Sequence, residues 1–99
     1  MRYNLSMIKT FSDKRSKRLY ITGRAHGIDG ILASRAIRKL DMIHAASAIS
    51  DLEVPPGNRL EQLRGDRKGQ WSIRVNDQWR ICFRFSDGNA YDVEFCDYH

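Results

Sequence analysis

Between Trp71 and Phe85 the chain alternates apolar and polar residues in two runs. Trp71, Ile73 and Val75 share one parity against Ser72 and Arg74; Trp79, Ile81, Phe83 and Phe85 share one parity against Arg80, Cys82 and Arg84. A period of two marks half-buried strands. The stretch around them, NRLEQLRGDRKGQWSIRVNDQWRICFRF from Asn58 to Phe85, holds both tryptophans and seven of the 17 lysines and arginines: Arg59, Arg64, Arg67, Lys68, Arg74, Arg80 and Arg84. The resulting sheet has an apolar face that needs a cover and an arginine-studded face that needs an anion.

The cover comes from the N-terminal half. Ile8 to Phe11 reads as a short first strand, and Ser12-Asp13 caps a basic helix running to about Ile21, stopped at Thr22-Gly23. Gly23 to Gly27 is a loop. Asp29 opens the longest helix, to about Ser47, in which Ala33, Ala36, Ile37, Leu40, Ile43, His44 and Ser47 follow helical spacing. His44 borders that stripe and reads as a packed or bordering histidine rather than a catalytic one. Val54-Pro55-Pro56-Gly57 cannot continue a helix and forms the hinge between the halves.

After the hinge, Arg59 to Leu63 is expected as a strand and Arg64 to Gly69 as a polar loop. Strands over about 71–75, 79–86 and 90–96 follow. A three-residue loop at Asn76-Asp77-Gln78 sets Ile73 against Ile81 and Trp71 against Phe83. A like loop at Asp87-Gly88-Asn89 sets Phe85 against Tyr91, Phe83 against Val93 and Ile81 against Phe95. A shift of one residue would oppose apolar to polar. The predicted class is α+β, with two N-terminal helices packed on one face of an antiparallel sheet.

On the polar face this register opposes Arg84 to Asp92, an ordinary ion pair, and Arg74 to Arg80. Directly opposed like charges destabilise a strand pair unless neutralised. A phosphate suits the guanidinium fork; a carboxylate such as Glu94 is the competing explanation.

The chain has 99 residues, 41% hydrophobic, which suits one domain with one modest core. No run reaches the roughly 18 apolar residues needed to span a bilayer, and the start lacks the features of a secretory signal. Met1 to Ser6 reads as an extension ahead of a domain over residues 7–99. A cytoplasmic location is expected. The net charge of +5 suits a polyanionic partner, most often nucleic acid. The two cysteines read as free thiols, and the scattered histidines (26, 44 and 99) make no zinc pattern.

The same residues carry a family likeness. NRLEQLRGDRKGQWSIRVNDQWRICF, the MIKTF start, the VPPGNRLE hinge and the terminal Asp97-Tyr98-His99 resemble the HigB branch of the RelE superfamily of bacterial toxins, over essentially Met7 to His99. The resemblance implies a metal-independent endoribonuclease, without cofactor, that cuts messenger RNA on translating ribosomes. It also implies a cognate HigA-like helix-turn-helix antitoxin, with operator DNA reached only through that antitoxin. By this resemblance the catalytic set is Arg80 on the scissile phosphate, Arg64 assisting it, and Asp97, His99 and Glu61 in acid–base roles. Gln78, Tyr98, Arg74, Arg67 and Lys68 would contact RNA. Some relatives carry histidine where this chain has Glu61, which shifts the proton chemistry toward Glu61, Asp97 and His99. Each residue has a plain alternative: a frayed end for His99, a core edge for Tyr98, a surface partner of arginine for Glu61, and a solvated turn for Arg64, Arg67 and Lys68.

Overall fold

The computed structural model describes residues 7–97, so Tyr98, His99 and the Met1–Ser6 extension lie outside the described residues. Its elements are β1 (Met7–Ile8), α1 (Lys14–Thr22), α2 (Gly30–Ala45), β2 (Glu61–Gln62), β3 (Trp71–Arg74), β4 (Trp79–Ser86) and β5 (Asn89–Asp97), with short 3-10 turns at Ile49–Glu53, Pro56–Asn58 and Gly65–Arg67. Both helices start where the sequence caps them. Asp13 accepts from the Ser16 N–H at 3.2 Å and Asp29 from the Leu32 N–H at 2.8 Å. Gly23, at φ 78, ends α1 in the left-handed conformation, and its N–H reaches the Leu19 carbonyl.

The five strands form one sheet in the order β1-β5-β4-β3-β2. Four expected pairs between β3 and β4 are present, Trp71 with Phe83, Ser72 with Cys82, Ile73 with Ile81 and Arg74 with Arg80, while the expected Val75–Trp79 pair lies past the end of β3, where the Val75 N–H donates to the Trp79 carbonyl at 2.9 Å. The apolar parity packs under the helices. Leu19, Ala36, Leu40 and Ile43 meet Ile73, Ile81, Phe83, Val93 and Phe95, all at most 4% exposed. His44 is structural, as expected: its Nδ1 accepts the Ile8 N–H at 3.1 Å and so anchors β1 to α2.

Three expectations about strand direction and extent need correction. The sheet is mixed, because β1 runs parallel to β5, with Met7 beside Asn89 and Ile8 beside Ala90. Periodicity reports the faces of a strand but not its direction. The first strand is also shorter than Ile8 to Phe11, with Phe11 making only an isolated bridge to Val93. Beyond the hinge, only Glu61–Gln62 is regular strand, because Arg59 sits in the left-handed region at φ 45 and breaks the extended run.

The β4–β5 register is as expected at Ile81–Phe95 and Cys82–Glu94, then slips: Arg84 pairs with Tyr91 and Phe85 with Ala90. Asp87-Gly88 alone forms the turn, with both residues at positive φ (52 and 78), the two-residue hairpin that Asp-Gly favours. The turn and the core therefore demand registers one residue apart. A bulge takes up the difference, leaving Asp92 at φ 53. The Thr10 hydroxyl accepts the Asp92 N–H at 2.8 Å, so the irregularity is not left unsatisfied. Despite the slip, Arg84 Nε stays 3.4 Å from Asp92, the expected ion pair.

Candidate active site

The face of the sheet away from the helices is not the open arginine surface that alternation suggests. Ser72 and Cys82 are fully buried and Arg80 is only 8% exposed. The segment from Arg59 to Gly69 folds back against this face. Its left-handed bend at Arg59 aims that residue's carbonyl at Arg80, whose Nη2 donates to it at 2.6 Å. Arg80 Nε donates to Ser72 Oγ at 2.8 Å, and Nη2 reaches the Ser72 carbonyl at 3.4 Å. Glu61, half exposed on β2, brings Oε1 to 3.9 Å from Arg80 Nη2. A guanidinium gripped on one edge keeps one orientation without spending entropy on it.

Arg74 and Arg80 are direct cross-strand neighbours, and each has found its own partner. Arg74 pairs with the Asp77 carboxylate three residues on. Glu94, the expected alternative neutraliser, is instead held by Arg67 at 3.1 Å. The opposed arginines still share one concavity. Arg59, Arg74, Asn76, Asp77 and Arg80 line an open cavity of about 340 Å³. Lys39 on α2 adds to this charge. Burial, and then the positive charge of Arg74, hold its ammonium below the usual lysine range. Three arginines and a lysine against two carboxylates, Asp77 and Glu61, leave a net cationic hollow suited to a phosphate. Neither Arg59, named from sequence only as one of the seven basic residues of the 58–85 stretch, nor Lys39 was among the expected site residues. Their place depends on a backbone bend and on helix packing, which spacing does not report.

The other expected residues are distributed around this hollow. Arg64 and Lys68 line a separate cavity of about 510 Å³ together with Gln62, Leu63, Gly65 and Gly69. Arg67 donates to both Glu94 and Gln70, and the Glu94 hydrogen bond raises its pKa against the opposing effect of burial. That engagement makes Arg67 a brace of its own loop. Gln78 Nε2 donates to Asp97 Oδ2 at 3.0 Å, closing the end of the β4–β5 ladder where Trp79 faces Asp97. By alternation Asp97 shares the parity of Trp79, whereas Cys96 shares that of Arg80. Asp97 thus stands at the sheet's end beside the cleft rather than inside it.

The arrangement has the parts that phosphodiester transesterification requires: cations for the phosphate, and a carboxylate at the rim that can take a proton. Among the described residues no cluster of three or more His, Cys, Asp or Glu could hold a metal ion. No helix there is long and apolar enough to cross a membrane.

Residues 9–99 match the family model described as the RelE-like toxin of the type II toxin-antitoxin system HigB. Toxin HigB-1 of Vibrio cholerae serotype O1 is 42% identical over 88 residues, covering 88% of this chain and 93% of that protein. Endoribonuclease HigB of Proteus vulgaris is 39% identical over 93 residues, covering 94% of this chain and all of the relative. In fold, the chain is similar to the YoeB-YefM complex from Staphylococcus aureus, with a TM-score of 0.55 over 95% of this chain and 99% of that one, at 13% identity.

Proposed function

The chain belongs to the HigB family of RelE-like toxins of type II toxin-antitoxin systems, and from that premise we propose that it is an endoribonuclease that cuts messenger RNA on translating ribosomes and so stops translation. The observation that carries the reading is the gripped Arg80: a nearly buried guanidinium held by Ser72 and the Arg59 carbonyl, with Glu61 3.9 Å away and Arg59 and Arg74 lining the same cleft.

In this reading the scissile phosphate sits against Arg80, with Arg74 and Arg59 sharing its charge. The ribose 2′-OH attacks the adjacent phosphorus, and the P–O5′ bond breaks. The products are a cyclic phosphate and a free 5′-OH. Glu61 takes the 2′-OH proton from the cleft rim, while the C-terminal His99 supplies the proton to the leaving oxygen, with the Asp97 carboxylate supporting that transfer. As negative charge builds on the non-bridging oxygens, a fixed guanidinium stabilises it without reorganising. Gln78 and Tyr98 contact the RNA beside the cut; Arg64 and Lys68 extend the basic surface along the strand. The partner protein is an antitoxin of helix-turn-helix type, which alone brings the complex to operator DNA. The site of action is the cytoplasm.

Primer extension on a defined messenger RNA tests this, with and without translating ribosomes, for wild type, Arg80→Ala and Glu61→Gln. Cuts that need ribosomes and weaken in both variants support it, provided circular dichroism shows each variant folded at the assay temperature. Silence from folded wild-type protein would favour a non-catalytic member that acts through antitoxin binding and operon control. Cuts by Glu61→Gln at the wild-type rate would remove Glu61 from the proton chemistry.

A further inference from the structure

The face of the sheet that carries Arg80 holds a second piece of chemistry that the cleavage reaction does not use. Cys82 on β4 and Cys96 on β5 have their sulfurs 3.0 Å apart. The register explains how they meet. Cys82 faces Glu94 and Cys96 faces Arg80, so the cysteines are diagonal neighbours on one face. A diagonal pair in a flat ladder stands wider apart than a facing pair. The right-handed twist of neighbouring strands brings one diagonal of a ladder closer than the other, and on the Cys82–Cys96 diagonal the sulfurs are in contact. Closing to a disulfide bond length of about 2.05 Å needs the sulfurs to move by about 1 Å.

We propose that Cys82 and Cys96 form an oxidative modification site that closes to an intramolecular disulfide with peroxide as the oxidant. Both are free thiols. Cys96 is half-buried and reachable from solvent, whereas Cys82 is fully buried. The pair thus has an entry sulfur and a resolving sulfur. The hydrogen bond with Cys96 lowers the pKa of Cys82 against the opposing effect of burial, helped by Arg67 and Arg80, while the same contact and burial push Cys96 up. Either sulfur can donate across the 3.0 Å contact, and in the proposed oxidation the Cys96 proton moves to Cys82 as the exposed sulfur attacks.

The steps balance. The Cys96 thiolate attacks one peroxide oxygen and the O–O bond breaks, leaving a sulfenic acid and a hydroxide that takes up a proton as water. Cys82 sulfur then attacks the Cys96 sulfur, the S–O bond breaks, and hydroxide leaves with the Cys82 proton as a second water. Two thiols are oxidised to one disulfide and one peroxide is reduced to two waters. A thiol reductant reverses the bond by exchange through Cys96.

The test uses the full reduced chain treated with hydrogen peroxide, quenched in acid with N-ethylmaleimide and weighed intact. The expected product is lighter by two hydrogens, has lost both alkylation sites together, and returns to two sites after dithiothreitol. It should form at least about tenfold faster in folded than in urea-unfolded chain, because folding supplies the proximity. Cys96→Ser and Cys82→Ser should each abolish this product. Sulfinic acid on one cysteine with the other still alkylatable, disulfide-linked dimers alone, or equal rates in folded and unfolded chain would each overturn the proposal.

Discussion

Replacing Arg80 by alanine should unfold the protein at a markedly lower temperature as well as disable it. From sequence alone, an arginine on the polar parity of β4 is a surface residue whose removal leaves the fold intact, and such surface changes stay within about 0.5 kcal/mol. The structure says otherwise. Arg80 is 8% exposed and makes two short charge-assisted hydrogen bonds, at 2.8 Å to Ser72 Oγ and 2.6 Å to the Arg59 carbonyl. Bonds to charged groups are each worth about 1.5–3 kcal/mol. Part is recovered as water enters the space left behind, and relief of repulsion from Arg74 offsets some more. A net cost of about 3 kcal/mol remains. For a domain of this size, each kcal/mol moves the melting temperature by about 4–8 °C, so a fall of about 12–24 °C is expected. Differential scanning calorimetry measures it directly, and urea denaturation checks that the m-value is unchanged. A melting temperature within a degree of wild type would refute the idea that Ser72 and Arg59 grip this guanidinium. Arg80→Lys separates charge from grip: an ammonium cannot span both acceptors as a fork does, so cleavage should fall while net charge is kept.

The remaining predictions concern the cover, the hinge and the cleft. Trp79 stacks on Phe95 at 4.6 Å and 7°, with the Arg15 guanidinium 5.4 Å from its centroid, but it is only half-buried. Trp79→Ala should therefore cost about 2–3 kcal/mol by urea denaturation, below the 3–5 kcal/mol of a buried tryptophan; a larger loss would mean the ring anchors more than this stack. Asn58 is fully buried, donates to the Leu52 and Val54 carbonyls and accepts from Lys39 Nζ. Asn58→Ala should cost about 2–3 kcal/mol by the same measure, leaving those carbonyls unsatisfied; an unchanged midpoint would show that the hinge does not depend on it. Inorganic phosphate at tenfold its Kd should stabilise the protein by about 1.4 kcal/mol, read as a rise in melting temperature over chloride at equal ionic strength. Arg74→Ser should blunt that rise, and no difference between the two salts would remove the anion hollow.

What was legible in the sequence was whatever depends on neighbours a few residues apart. Alternation located β3 and β4 and their register, and Asp13 and Asp29 announced the helix starts. The Asp-Gly signal at 87–88 was also present, but reading a third residue into the loop displaced the turn end of β5 by one. The direction of β1 was not legible, because it depends on how the two helices return the chain to the sheet. The cleft was legible in part. Arg74 and Arg80 followed from the register, whereas Arg59 required a left-handed bend and Lys39 the packing of α2 over the hinge. Burial of the arginine face was the largest surprise. It comes from a fold-back of 59–69 with almost no regular structure, which leaves no periodic trace.

The bulge at Asp92 divides β5 into two phases, like a dislocation in a crystal row. Near Asn89 the strand keeps time with the tight turn and with β1; beyond Val93 it keeps time with the core and with Arg80 through Cys96. Deleting Asp92 alone would merge the two phases: Arg84 would still face Tyr91, Phe83 would come to face Val93, and Ile81 would still face Phe95. Deleting a residue between Val93 and Phe95 instead would leave the bulge in place and turn the far end of the strand over, carrying Asp97 to the other side of the sheet. The end of the strand that borders the cleft is therefore tolerant of length changes at Asp92 and intolerant of them one or two residues later.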